Sequence, residues 1–137
     1  NLGIWFVPFS PLGRAFLAGV VKDMSLLEEG DMRLTMPRFT GDNLKHNLKL
    51  VEELTTLAVD NDCTPAQLAL AWLLSKDPDF IPIPGTKHVK YVEENALAAE
   101  INVSNSELEK AGKIFGPEQI KGERYHPSQM ISLDPDV

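Results

Sequence analysis

Two short apolar segments lie far apart in this 137-residue chain, and they constrain its fold more than any other feature. Residues 3–9, GIWFVPF, and residues 80–83, FIPI, are each typical of a buried strand that ends at a turn. Two such strands cannot close a sheet, and the long interval between them has the period of helices. Strands that alternate with helices indicate a parallel α/β protein. We therefore expect the chain to be a fragment of a larger α/β domain.

Four helices are predicted around the two strands. The first, over residues 43–61, has an apolar stripe on one side and charged residues on the other. The second begins in TPAQLALAWLLSK, where Thr64 and Gln67 have the spacing of a capping box. Its body is apolar on almost every side, so protein has to cover it on more than one face. Thr86 and Ser104 are predicted to cap the third and fourth helices. The segments predicted as loops are residues 20–42 and the tail after Gly116.

Charge and composition exclude several classes of function. The net charge of -7 disfavours binding to nucleic acid or to a membrane surface, which usually requires a clustered basic face. No run of about 18 apolar residues is present, so no membrane-spanning helix is predicted. The single cysteine, Cys63, can form no internal disulfide and fits a reducing compartment, which predicts a cytoplasmic protein.

The common catalytic and binding motifs are missing. There is no Gly-x-Gly-x-x-Gly segment after a strand, no phosphate-binding loop of the Walker type and no Gly-x-Ser-x-Gly elbow. The histidines lack a second ligand at metal spacing, and adjacent carboxylates on a helix do not face one another. We therefore predict no metal site, an inert Cys63 and surface positions for His46, His88 and His126.

Each predicted strand is followed by a turn that carries cations. The first turn, FSPLGRAF, contains Arg14, and the second, PGTKHVK, contains Lys87, His88 and Lys90 at the start of a predicted helix. Cations are disfavoured at a helix amino terminus unless an anion binds there. Solvated lysines beside an ordinary helix start would explain the second turn equally well. Two such turns in one chain favour an anion site, and eight-stranded α/β barrels bind phosphate after their seventh and eighth strands.

Four segments resemble a known family: GIWFVPFSPLGRAFLAG, PRFTGDNLKHNLKLVEEL, CTPAQLALAWLLSKDPDFIPIPGTKHVKYVEEN and GERYHPSQM. They resemble the aldo-keto reductases, and within them the branch of bacterial and plant enzymes that includes perakine reductase. The resemblance implies an α/β fold, the TIM (β/α)8 barrel. Residues 1–137 would form the carboxyl-terminal portion of that single domain, roughly strands 7 and 8 with their helices and the tail. It also implies an oxidoreductase that reduces a small carbonyl substrate with NADPH, this chain supplying the cofactor-binding part.

The resemblance assigns cofactor-binding roles by position. Phe9 matches the aromatic residue that stacks on the nicotinamide ring. Ser10, Leu12 and Arg14 match the loop around the pyrophosphate. Gly85, Thr86 and Lys87 match the segment around the 2′-phosphate. Glu94 and Asn95 match the pair near the adenine and its ribose. Two positions depart from the family: His88 stands where arginine is frequent in this branch, and Tyr91 where many other members have arginine. Histidine is mostly neutral near pH 7, which implies a weaker, pH-dependent hold on the 2′-phosphate.

The catalytic Asp, Tyr, Lys and His of the family come from earlier strands, and the resemblance places none of them in this chain. Tyr125 and Lys121 lie in the tail, outside the family's pattern, and are not expected to be catalytic. Two alternatives stay open: an NADPH-binding regulatory subunit of the potassium-channel β type, and a truncated chain without independent function. The sequence determines neither the substrate nor the oligomeric state.

Overall fold

Helices dominate the computed structural model, which describes residues 3–131. They are α1 (Gly41–Val59), α2 (Pro65–Leu74), α3 (Val89–Leu97), α4 (Asn105–Ile114) and the single turn α5 (Pro127–Met130). The first four confirm the predicted helices, although α1 begins and ends two residues earlier than expected. Three 3-10 helices, Met24–Leu26, Met32–Thr35 and Pro37–Phe39, occupy the segment predicted as a loop. Within residues 3–131, no helix has both the length and the apolar character needed to cross a membrane.

The capping box predicted for α2 is present. The Thr64 hydroxyl accepts the Gln67 N–H at 3.2 Å, and the Gln67 side chain accepts the Thr64 N–H at 3.0 Å. The helix then packs against α1, α3 and α4, which confirms that its apolar body is covered on more than one side. Ser104 caps α4 as predicted, because its hydroxyl accepts the Glu107 N–H at 3.3 Å.

Two apolar clusters hold the elements together. The larger cluster joins three helices through the buried residues Leu54, Ala58, Leu68, Ala69 and Ala111. The smaller cluster fixes the segment before α1 through the buried residues Val21, Met36 and Phe39, with Phe16 and Tyr125 packed against them. The rings of Phe16 and Phe39 meet edge to face at 5.3 Å between centroids. The smaller cluster therefore attaches both the turn after residue 10 and the tail to the segment before α1.

The two predicted strands are reduced to isolated bridges among the described residues. Phe6 pairs with Phe80 and Phe9 with Ile83, both in parallel. The N–H of Phe6 donates to the carbonyl of Asp79 at 2.9 Å, and the N–H of Ile81 donates to the carbonyl of Phe6 at 2.9 Å. The predicted strands, residues 3–9 and 80–83, were therefore too long, since only single bridges form. A parallel pair forms a stable ladder only within a larger sheet that is covered on both sides, and these segments lack further strand neighbours within residues 3–131.

The third helix begins later than predicted. Its N-cap is His88, in an extended conformation, and not Thr86. The Thr86 hydroxyl accepts the N–H of His88 at 3.2 Å and so closes a separate turn before the helix. Hydroxyl side chains often compete in this way with the backbone pattern of a helix. Lys87 and His88 consequently precede α3, and Lys90 lies in its first turn.

Candidate functional site

A cavity of about 510 Å³ lies between the two turns that the sequence singled out. One wall is the turn after the first bridged segment, another is the start of α2, and the third is formed by residues 84–86 with the first two turns of α3. Eight of the eleven predicted cofactor-binding residues line it: Ser10, Leu12, Arg14, Gly85, Thr86, Tyr91, Glu94 and Asn95. Chain folding thus brings together two segments that lie some seventy residues apart in the sequence.

The turn over residues 10–15 has an unusual backbone. Ser10, Arg14 and Ala15 have φ values of 48°, 58° and 69°, and Gly13 between them has 57°. Positive φ is uncommon for residues other than glycine and costs energy, which is characteristic of functional loops. Within the described residues, the N–H groups of Leu12, Arg14 and Ala15 have no hydrogen-bond acceptor. Unpaired amides in a left-handed turn form a concavity suited to an anion.

Arg14 is held by a backbone bond and a ring contact, and by no ion pair in the described part of the chain. Its carbonyl accepts a hydrogen bond from Arg33 Nη1 at 3.3 Å, which fixes the backbone. Its guanidinium lies 5.0 Å from the centroid of the Tyr125 ring, a cation–π contact. None of the ion pairs found among residues 3–131 involves Arg14. Tyr125 therefore supports Arg14, a role that sequence reasoning missed because it depends on the tail folding back.

The capping box of α2 also holds α3. The Thr64 hydroxyl donates to Glu94 Oε1 at 2.6 Å, and Gln67 Nε2 donates to the Glu94 carbonyl at 3.2 Å. Glu94 is thereby fixed at the cavity wall by two residues that the sequence assigned only to local capping. Thr64, Pro65 and Lys90 line the cavity as well, although none of them was predicted as a site residue.

Three predicted residues lie outside this cavity. Phe9 is bridged to Ile83 and its side chain is exposed. Lys87 and His88 are also exposed, on the segment before α3, and the His88 ring lies edge-on to Tyr91 at 5.7 Å between centroids. The charged side chains that do line the cavity are Arg14, Lys90 and Glu94. These three side chains give the cavity wall a net charge of one positive unit. The Glu94 carboxylate already accepts a hydrogen bond from Thr64.

Cysteine and metal chemistry gain no support in this region. Burial raises the pKa of the Cys63 thiol, and the nearby charge of Asp62 raises it further. A raised pKa favours the protonated, less reactive form of the thiol. Among residues 3–131, no group of three or more His, Cys, Asp or Glu side chains is arranged to hold a metal ion.

Comparison with known proteins identifies the family. A model of the Aldo/keto reductase family matches residues 1–114. The chain belongs to the aldo/keto reductase family. Aldo-keto reductase yakc of Schizosaccharomyces pombe, whose name includes NADP(+), is 41% identical over 124 residues, or 90% of this chain and 36% of that protein. Aldo-keto reductase str7 of Strobilurus tenacellus is 41% identical over 124 residues, or 90% and 37%. The chain thus spans little more than a third of the length of these curated relatives.

The family match confirms the resemblance seen in the sequence. The segment matched to the aldo/keto reductases includes both turns, the start of α2 and the whole of α3, and therefore every residue that lines the 510 Å³ cavity. The tail that carries Tyr125 lies beyond the matched segment.

Proposed function

We propose that this chain is the cofactor-binding, carboxyl-terminal part of an NADPH-dependent aldo-keto reductase, and that the 510 Å³ cavity binds the phosphate-bearing part of NADPH. One observation carries the proposal: two turns that are distant in sequence bring backbone amides, a guanidinium and an ammonium group to one cavity. Within residues 3–131 these amides have no acceptor and the guanidinium belongs to no ion pair. A reductase of small-molecule carbonyls in the cytoplasm, without a nucleic-acid or membrane partner, forms part of the same proposal.

The turn over residues 10–15 suits the pyrophosphate. Its free N–H groups can donate to phosphate oxygens, and Arg14 adds a charge that is already oriented by Tyr125. Charge-assisted hydrogen bonds from guanidinium to phosphate are short and strong. The strained backbone would then be offset by the interaction with the anion.

The start of α3 suits the adenosine end of the cofactor. Lys90 lies in its first turn and lines the cavity, so it supplies a cation where His88 replaces the arginine of related enzymes. Glu94, held by Thr64, and the adjacent Asn95 provide oxygen and amide groups for the ribose and the base. Gly85 places the backbone of the second turn at the cavity wall.

The remaining chemistry belongs to residues upstream. Bound NADPH supplies the hydride for carbonyl reduction, and the protein supplies position and charge around it. Phe9 presents an exposed ring one residue before the pyrophosphate turn, where we propose that it stacks on the nicotinamide. We further propose that the two bridged segments are strands 7 and 8 of a TIM barrel, and that the catalytic Asp, Tyr, Lys and His lie on its earlier strands.

Cofactor titration tests the proposal. We expect Arg14→Gln in the full-length protein to weaken NADPH binding about tenfold or more, since a charge-assisted bond is lost. Lys110→Gln is the control, because Lys110 is paired with Glu107 at 2.7 Å, does not line the cavity and loses the same single charge. Protein fluorescence and the NADPH emission band report the dissociation constants. Equal affinity of the Arg14 variant and the wild type would contradict the proposal.

A further inference from the structure

The arginines of this acidic chain are distributed very unevenly. There are four of them, and one, Arg33, is paired with Asp31. The other three, Arg14, Arg38 and Arg124, line a second cavity of about 240 Å³. None of these three belongs to an ion pair within residues 3–131. Three guanidinium-bearing side chains without an ion-pair partner in the described part of the chain therefore line one cavity.

This arrangement is electrostatically unfavourable as it stands. Arg38 is half-buried, and its Nε donates to the carbonyl of Gly122 at 3.1 Å. Burial lowers the pKa of Arg38, and the charges of Arg124 and Arg14 lower it further, while Glu123 opposes them. A guanidinium still keeps its charge at every physiological pH. The repulsion would be relieved by an anion between the three groups.

The rest of the cavity wall is apolar. Phe16, Leu17, Phe39, Phe115 and Ile120 contribute most of it. Asn47 also lines the cavity, but its amide group already donates to the carbonyls of Arg38 and Lys121. A cavity lined by apolar side chains together with arginines suits an organic body that carries an anionic group better than it suits a hydrated inorganic ion. The planar guanidinium matches a carboxylate with two parallel hydrogen bonds.

We propose that the 240 Å³ cavity between residues 13–17, the segment entering α1 and the tail binds the carboxylate of an organic acid. It is separate from the cavity proposed for NADPH, and Arg14 stands in the wall common to both. The carboxylate has two possible sources. One is a free organic acid, and the other is the chain itself, whose sequence continues after residue 131 with Asp134 and Asp136.

Benzoate is a suitable probe, because it joins a carboxylate to a small apolar ring. Titration calorimetry of the full-length protein is expected to show binding that Arg124→Gln weakens about tenfold. Lys110→Gln removes one positive charge outside the cavity and should leave benzoate affinity unchanged. Arg38→Gln is a second variant, accepted only if its circular dichroism matches the wild type, since Arg38 also bonds to Gly122.

The double variant Asp134→Asn with Asp136→Asn separates the two sources. Benzoate binding to the wild type that needs Arg124 supports a free acid. Binding only to the double variant, again lost with Arg124→Gln, supports the chain's own carboxylates. Absence of benzoate binding in both backgrounds, or binding that neither arginine variant weakens, would overturn the inference. The Arg124 variant should keep its NADPH affinity, so a failure here is distinguishable from a failure of the proposed cofactor site.

Discussion

At the scale of single residues, Asn47 does more for the structure than its sequence context suggests. It lies on α1, is 1% exposed, and was predicted only as a member of an amphipathic helix. Its amide group donates to the carbonyls of Arg38 and Lys121 at 3.1 and 2.8 Å, and its oxygen accepts the N–H of Lys121 at 2.9 Å. One side chain thereby ties the tail and the segment before α1 to the helix.

Replacing Asn47 tests this role. Asn47→Ala removes three hydrogen bonds made by a buried side chain, so we expect a loss of about 2 to 4 kcal/mol in the free energy of unfolding. Urea denaturation of the full-length protein measures it. Asn102→Ala, at an exposed site, is the matched control and should change stability by less than about 0.5 kcal/mol. A similarly small effect at Asn47 would show that the tail is not held by these bonds.

The hydrogen bonds of Asp31 should make the free energy of unfolding depend on pH in the acid range. Its carboxylate accepts bonds from the Arg33 side chain at 2.6 and 2.9 Å and from the Arg33 N–H at 2.9 Å, which lower its pKa from 3.8 to about 2. A pKa that is lower in the folded state means that the stabilisation is complete above pH 3.8 and is lost as the pH falls toward 2.

The comparison of Asp31→Asn with the wild type measures that dependence. The wild type should be the more stable protein at pH 6, and the difference in unfolding free energy should shrink between pH 4 and pH 2. Glu109→Gln, on the exposed side of α4, serves as a control and should show no comparable convergence. A difference that stays constant down to pH 2 would mean that the Asp31 bonds contribute nothing in the folded state.

At the scale of elements, the start of α2 couples local capping to the candidate site. Thr64→Ala removes the acceptor for the Gln67 N–H and the donor to Glu94 Oε1. We expect a stability loss of about 1 to 2 kcal/mol from the cap. If Glu94 contributes to the proposed cofactor site, NADPH binding should weaken as well.

Thr64→Ser is the matched control, because it keeps the hydroxyl. Stability and NADPH affinity should both return toward the wild-type values in this variant. Rescue of stability without rescue of NADPH affinity would separate the cap from the site and remove Thr64 as a positioning residue.

The same element shows what sequence could predict and what it could not. Local signals such as the Thr64–Gln67 spacing located α2 and its cap, because both partners lie within four residues. The bond from Thr64 to Glu94 spans thirty residues and has no sequence signature. The predicted start of α3 was wrong because the Thr86 hydroxyl can cap either a helix or a separate turn. Only the folded chain decides between these two roles.

For the strands and the candidate site, too, local sequence patterns predicted the elements but not the contacts between distant residues. Residues 3–9 and 80–83 were predicted as two strands of a parallel α/β fold, and the structure joins them only by two parallel bridges. The extent of pairing depends on neighbours that no local pattern describes. Positions taken from the family placed eight of eleven site residues at one cavity. Lys90 and Tyr125 were not among the predicted cofactor-binding residues. Lys90 lines the cavity, and Tyr125 contacts Arg14 because the tail folds back onto it.

At the scale of the whole molecule, apolar side chains are concentrated on the outside of the bridged segments. Large exposed fractions are found at Ile4 (70%), Trp5 (66%), Phe6 (55%), Val7 (50%), Phe9 (57%) and Ile83 (51%). Soluble monomers rarely expose a contiguous apolar patch of this kind. In the barrel that we propose, neighbouring strands and helices would cover most of these side chains.

The fluorescence of Trp5 tests that proposal directly. Trp72→Phe leaves Trp5 as the single tryptophan of the 137-residue chain. In this chain alone we expect red-shifted emission, binding of a hydrophobic dye and self-association in sedimentation, because the patch is exposed to water. In the full-length protein, with other tryptophans replaced, Trp5 emission should shift to shorter wavelength and dye binding should fall. A monomeric chain that binds no dye and takes up NADPH as tightly as the full-length protein would contradict the barrel proposal, since it would show that residues 1–137 form a complete unit.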